Sequence, residues 1–347
     1  MRETDARLAL IQDWLTRELR LAVERLEPAS ADASFRRYFR ATLAGGTRIV
    51  MDAPPDKEAV RPYLRITALL ESVGMHVPHV FEADEQRGLL LLEDLGTTHY
   101  LSRLKGDGDA DALYGDALEA LAALQVRGGE AAAELQPYDR EPLMREMGLL
   151  PEWFCTRHLG LTLTPAERGL LERTFEFLVA EALVQPQVFV HRDYHSRNLM
   201  VLDRRNPGVL DFQDALRGPI GYDLVSLLKD CYIAWPRERV ERWLRGYRDR
   251  VSARGVYAGR DEREFVRWFD LIGVQRHVKV LGIFARLWYR DGKPGYLPDL
   301  PLTLEYVRDA ARRYSELGEF ARFVEERLVP QLPRANERAL AQTELGA

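Results

Sequence analysis

Lysine is scarce in this 347-residue chain: of 49 basic residues only five are lysines, and none precedes Lys57. Any cation needed in the first 56 residues must therefore be an arginine. Cysteine is scarcer. Cys155 and Cys231 stand 76 positions apart with no second thiol near either, which excludes a cysteine-pair metal or redox motif and fits two free thiols in a reducing compartment. There is no surplus of positive charge. A formal net charge of -5 argues against a broad surface for a nucleic-acid backbone or an anionic membrane. No apolar run approaches the roughly 20 residues of a spanning helix. The N-terminal "MRETDARLALIQDWLTRELR" is charged throughout, unlike the apolar centre of a signal peptide. The expectation is a cytoplasmic protein with no nucleic-acid or membrane partner and no obligatory protein partner.

What is present divides the chain. Leu8, Ile11, Leu15 and Leu19 recur at helical spacing, which predicts a helix over 3–25. The period then changes to two. Tyr38–Leu43 and Thr47–Met51 read as strands joined by a Gly45-Gly46 turn. A helix over 57–73 follows, with Val60, Leu64, Ala68 and Leu69 on one face. "VPHVFEADEQRGLLLLEDLG" then reads as two strands around a turn near Gly88. From residue 98 the pattern is helical, with a good helix start at Thr164-Pro165. The expected architecture is α+β: a small N-terminal antiparallel-sheet lobe, 1–95, and a larger, mainly helical C-terminal lobe, 96–347.

One stretch interrupts the helices: "FVHRDYHSRNLMVLDRRNPGVLDFQDA", residues 189–215. Short apolar strands alternate with polar residues at their ends. Asp193 and Asn198 are five positions apart, and Asp211 follows thirteen later. This is the spacing H-R-D-x-x-x-x-N followed by D-F, in which the first Asp accepts the proton of an attacking hydroxyl and the Asn and second Asp hold magnesium. The chemistry needs these groups: hard oxygen ligands for a Mg²⁺ that neutralises phosphate charge, and a separate carboxylate within reach of the acceptor. Asp and Asn also serve as ordinary turn residues at strand ends, but the joint spacing with His191 and Phe212 favours phosphoryl transfer from ATP with Mg²⁺.

These residues also carry a family likeness. "VHRDYHSRNLMVLD" and "VLDFQDALRGPIGYDLVSLLKD" resemble the aminoglycoside phosphotransferase family, kinase-like enzymes acting on small molecules. The second stretch matches the family's D-F-x-x-x-x-x-G-x-x-x-Y-D-L pattern through Asp211, Phe212, Gly218, Tyr222, Asp223 and Leu224. More narrowly, "IVMDAPPDKE", "LLLLEDLG", "REMGLLPEWF" and "GVQRHVKVLGIFARLWYRDGK" are similar to the bacterial kinases that phosphorylate C1 of N-acetylmuramate and N-acetylglucosamine in cell-wall recycling. The resemblance implies a two-lobed protein-kinase-like fold with nucleotide in the first lobe and acceptor in the second. It implies Asp193 as base, Asn198 and Asp211 at the metal, and Glu93 to Leu95 as the hinge that offers backbone groups to adenine. His191 is expected to brace the loop and Asp223 to support it from behind. For His195, a contact to the transferred phosphate and a plain loop hydrogen bond are both open.

The sequence departs from the kinase pattern at the phosphate clamp. There is no G-x-G-x-x-G loop and no V-A-I-K lysine; the strand reads Ile49-Val50-Met51-Asp52. Ser34 and Arg36, with Arg37 and Arg48 as alternatives, are the candidates to cover the phosphates, since a guanidinium binds phosphate in bidentate fashion. For the acceptor, Arg276 and His277 would supply a positive pole and Trp153 or Trp288 an apolar platform. Competing readings are a kinase of a cationic acceptor, which would want clustered carboxylates, and a non-catalytic nucleotide-binding pseudokinase.

Overall fold

The computed structural model describes residues 6–31, 35–106, 109–259 and 261–345. By internal contacts the chain forms two compact units, residues 1–103 with 197–214, and residues 104–196 with 215–347. A boundary at 95/96 would assign 197–214 to the helical part. The fold instead groups that segment, with Asn198 and Asp211, with the sheet.

The first unit is built on a five-stranded antiparallel sheet, ordered β1 (Val23–Ala31), β2 (Arg37–Leu43), β3 (Gly46–Asp52), β5 (Leu89–Glu93), β4 (Val80–Asp84). In β2, Phe39 and Ala41 are buried while their neighbours are half-exposed, the alternation of a strand with one face on the core. By contrast, Leu89 to Leu92 of β5 are all buried, as a strand between two partners and covered on both faces requires. The helix expected over 3–25 is corrected here. The α-helix covers only Ala6–Asp13 and continues as a π-helical turn, Trp14–Glu18. Arg20 has φ 55, and the chain then becomes β1. Tertiary packing explains the switch: Ile11, Trp14 and Leu15 join Phe39, Ala41, Val50, Leu89 and Leu91 in one cluster, with Val23 and Leu26 packed against it. Burying a large apolar side chain contributes about 1.5–3 kcal/mol, which outweighs the small propensity differences that favoured helix.

The helix Arg61–Ser72 buries Tyr63, Ile66, Thr67 and Leu70, the i, i+3, i+4, i+7 stripe of a one-sided helix. Gly88 closes the β4–β5 turn at φ +70, and a Cβ there would lie 1.8 Å from the Ala53 carbonyl oxygen. Only glycine permits both conditions. The segment 197–214 adds a ribbon, Leu199–Met200 paired with Gly208–Val209.

The second unit is helical apart from the antiparallel pair Gln187–Val190 and Leu216–Pro219. Thr164, at the helix start read from the sequence, forms a capping box, its side chain accepting from Glu167 N–H while Glu167 reaches back to Thr164 N–H. The long helix Glu262–Tyr289 is buried almost continuously from Trp268 to Gly282. A helix hydrophobic nearly all round belongs at the centre of its unit, so the polar residues within it need partners or a purpose. No helix among the described residues is long and apolar enough to cross a membrane.

Candidate active site

Asp193 lies in the loop that leaves the strand Gln187–Val190. Two buried aspartates fix that loop. Asp223, on the first turn of the helix Gly221–Leu228, accepts from the backbone N–H groups of His191 at 2.6 Å and Arg192 at 2.9 Å. Seven residues on, Asp230 accepts from Ser196 N–H at 2.9 Å and from Tyr232 N–H at 3.0 Å. His191 Nδ1 accepts from Asp193 N–H at 3.2 Å, and the Tyr194 hydroxyl donates to the Ala117 carbonyl at 2.8 Å. His191 and Asp223 thus take the supporting places expected of them. Burial pushes the Asp223 carboxyl up to about 7, against the two N–H bonds that favour its charge. Arg192, between them, has φ 80, a conformation costly for a side-chain-bearing residue that persists because the surroundings over-determine it.

Around Asp193 is a field of positive charge. Burial alone would raise its carboxyl, but Lys279, His195, Arg276 and Arg192 hold it below the usual carboxylate range. Lys279 is the main residue that sequence reading missed. It is buried, donates to the Tyr222 hydroxyl at 3.0 Å and pairs with Glu146 at 3.2 Å. Glu146 also receives Arg192 and the Tyr138 hydroxyl, so one carboxylate serves buried Lys279 and half-buried Arg192. Gly218 belongs to this arrangement: a Cβ on it would meet the Tyr138 Cβ at 2.9 Å. The only sequence signal for Lys279 was its place one helical turn after Arg276. Glu146 gave none.

A cavity of about 80 Å³ opens at this point, lined at its polar side by Asp193, His195, Asp230, Arg276 and Lys279 and at its apolar side by Tyr232, Val280, Ile283 and Phe284. His195 stacks edge-on against Tyr232 at 5.4 Å. Of the residues expected to meet an acceptor, only Arg276 lines this cavity. His277 faces elsewhere: buried, it bonds the Lys229 carbonyl at 2.9 Å and lies 4.9 Å from the Tyr306 ring. Burial pushes its imidazole down to about 3, so it supplies no positive pole. Trp153 is half-buried under the Arg157 guanidinium, 4.4 Å away, and Trp288 packs beside Tyr289; neither lines the cavity.

In the sheet unit, Asp211 has φ 62, again a strained position at a motif residue. It accepts from Asn198 Nδ2 at 3.4 Å and from Gln213 Nε2 at 2.9 Å. An amide and a carboxylate so close, both hard oxygen donors, suit a Mg²⁺ that takes one or two protein ligands and completes its shell with water and phosphate. Among the described residues there is no cluster of three or more His, Cys, Asp or Glu that would instead form an all-protein metal cage. Arg36 is 7% exposed, pairs with Glu58 at 3.1 Å and stands 3.7 Å from Asp211. The position that lacked a lysine holds a fully buried acid, Asp52. It takes Arg7 at 2.9 Å and Arg37 at 2.6 Å, so Arg37 is committed to the sheet. Arg48 lies over the Phe81 ring at 4.2 Å. Ser34 is outside the described residues. At the hinge, Glu93 is tied by backbone to the His79 carbonyl at 2.8 Å, whereas no hydrogen bond of the Leu95 backbone is found among the described residues. Asp94 is occupied by Arg40 at 2.6 Å.

A scan of protein-family models matches residues 25–266 to the phosphotransferase enzyme family. The chain belongs to that family. A Pseudomonas putida protein named N-acetylmuramate/N-acetylglucosamine kinase is 45% identical over 336 residues, 94% of this chain and 98% of its own. A protein of the same name from Neisseria meningitidis serogroup B is 49% identical over 294 residues, 84% of this chain and 86% of its own. Solved structures of like fold include choline kinase LicA from Streptococcus pneumoniae (TM-score 0.61, 11% identity, 88% of this chain and 100% of that one) and ADP-bound aminoglycoside phosphotransferase APH(2'')-Ib (TM-score 0.56, 15% identity, 87% and 98%). The fold of this phosphotransferase is therefore kinase-like, as the motif spacing implied. It is an ATP-dependent enzyme that phosphorylates a small molecule, which removes the pseudokinase alternative.

Proposed function

We propose that this phosphotransferase moves the γ-phosphoryl group of ATP to the anomeric C1 hydroxyl of N-acetylmuramate and N-acetylglucosamine, releasing ADP and a sugar 1-phosphate. Its setting would be the cytoplasm, in the recycling of peptidoglycan sugars. The observation that carries the reading is Asp193: an ionised carboxylate opening into a small, half-apolar cavity, in a chain whose relatives at 45–49% identity bear the amino-sugar kinase name. In the transfer, Asp193 takes the C1 hydroxyl proton as the sugar oxygen bonds to phosphorus and the bond from phosphorus to the ADP oxygen breaks. The C1 hydroxyl of a free sugar is more acidic than an ordinary alcohol, so one aspartate base suffices.

Nucleotide is assigned to the sheet unit, with adenine against the Leu95 backbone and Arg36, steadied by Glu58, in the place of the missing lysine. Asn198 and Asp211 would hold Mg²⁺, which when bound neutralises charge on the phosphates. The acceptor is assigned to the helical unit, with Arg276 and Lys279 on its polar side. Those two buried cations disfavour a cationic acceptor such as an aminoglycoside or choline.

The test is ADP release from ATP and Mg²⁺ with N-acetylmuramate, N-acetylglucosamine, glucose, kanamycin and choline, with phosphorus NMR on the products. Turnover of the N-acetylated sugars with a sugar 1-phosphate signal is expected. Phosphorylation of kanamycin or choline alone, or at a sugar position other than C1, would overturn the reading.

A further inference from the structure

The two cations of the acceptor cavity are unequally satisfied. Lys279 has Glu146 and the Tyr222 hydroxyl. Arg276, one helical turn earlier and 4% exposed, forms no ion pair among the described residues. Among these residues its one hydrogen bond is a 3.9 Å contact from Nη1 to the Cys231 Sγ, and its buried Nε has no partner there. A guanidinium carries five N–H donors, and withdrawing it from water without a carboxylate is strongly unfavourable. Asp193 and Asp230 line the same cavity and contribute a favourable field.

We infer that Arg276 is a specificity residue, which recognises a carboxylate carried by the acceptor and so distinguishes N-acetylmuramate, with its lactyl acid, from neutral N-acetylglucosamine. This rests on the amino-sugar reading above. A single carboxylate matches the planar fork of Arg276 through two parallel hydrogen bonds. Neutral N-acetylglucosamine leaves the fork unfilled, whereas the lactyl acid completes it.

The experiment compares kcat/KM for the two sugars, and for the neutral lactyl methyl ester of N-acetylmuramate, in wild type, R276Q and R276K. In wild type the ester should be poorer than the acid by roughly 10–100-fold, the worth of a charge-assisted bidentate contact. In R276Q the ratio of N-acetylmuramate to N-acetylglucosamine should fall by a similar factor, and acid and ester should become alike. R276K, a point charge without the fork, should fall between. If R276Q does not fold, the wild-type comparison of acid with ester decides alone. An ester as good as the acid in wild type, or an equal fall for both sugars in R276Q, would overturn the assignment. A wild-type enzyme that phosphorylates neither sugar overturns the amino-sugar reading itself, an outcome distinct from turnover of both without a carboxylate effect.

Discussion

The two units treat charge differently. In the helical unit the charged groups of the site are largely buried and shared: one Glu146 serves half-buried Arg192 and buried Lys279, and two buried aspartates hold the two ends of the Asp193 loop. In the sheet unit the arginines are clamped at the edges of strands, Arg37 on Asp52 and Arg40 on Asp94, and Asp211 is more open, with Asn198, Gln213 and Arg36 around it. The contrast fits the two tasks proposed for these units. A base must be ionised and aimed before the acceptor arrives, which a rigid, low-dielectric network provides. A site for metal and phosphates must exchange water and ligands.

That contrast can be broken at its centre. Asp193→Asn should lower kcat by roughly 10²–10⁴-fold while nucleotide affinity stays near wild type; unchanged turnover would remove Asp193 from its role. Glu146→Gln strips the counter-charge from buried Lys279 and half-buried Arg192 and should destabilise the fold by about 3 kcal/mol. Urea unfolding measures it, and a loss below ~1 kcal/mol would show the network to be less closed than drawn. On the sheet side the expected effects are on binding. Chelation of Mg²⁺ should weaken ATP binding by wild type, and Asp211→Ala should abolish that metal dependence; dependence surviving in the variant would move the metal site elsewhere. Arg36→Met should raise KM for ATP about tenfold, whereas an unaltered KM would return the phosphate role to another arginine.

The smallest effect concerns pH. Burial would raise the Asp193 carboxyl, and the neighbouring cations hold it below the ordinary aspartate value, so the acid limb of the wild-type kcat/KM profile should lie below that value. Lys279→Met removes the largest of those positive contributions, and the limb should move to higher pH. A shift toward lower pH, or none, would contradict the electrostatic account.

Much of the motif was legible because its residues are close in sequence. Asp193, Asn198 and Asp211 stand at intervals fixed by one loop and one ribbon, and Thr164 caps its helix through a residue three positions on. The strand β1 was not legible, because the choice between helix and strand at Val23 to Ala31 was made by pairing with β2 and by a cluster drawn from Ile11 to Leu91. The acceptor residues divide in the same way. Arg276 and His277 are adjacent in sequence, but on a buried helix consecutive side chains point about 100° apart, so one faces the cavity and the other a backbone carbonyl. Asp52 stood out only as the wrong residue for a kinase strand until Arg7 and Arg37 were found on it. The sequence by itself determined the chemistry, since phosphoryl transfer needs particular groups at short, fixed spacings. The tertiary structure decided which cations serve the site and which are neutralised, because charge compensation depends on distance in space, and Glu146 and Lys279 are 133 residues apart along the chain.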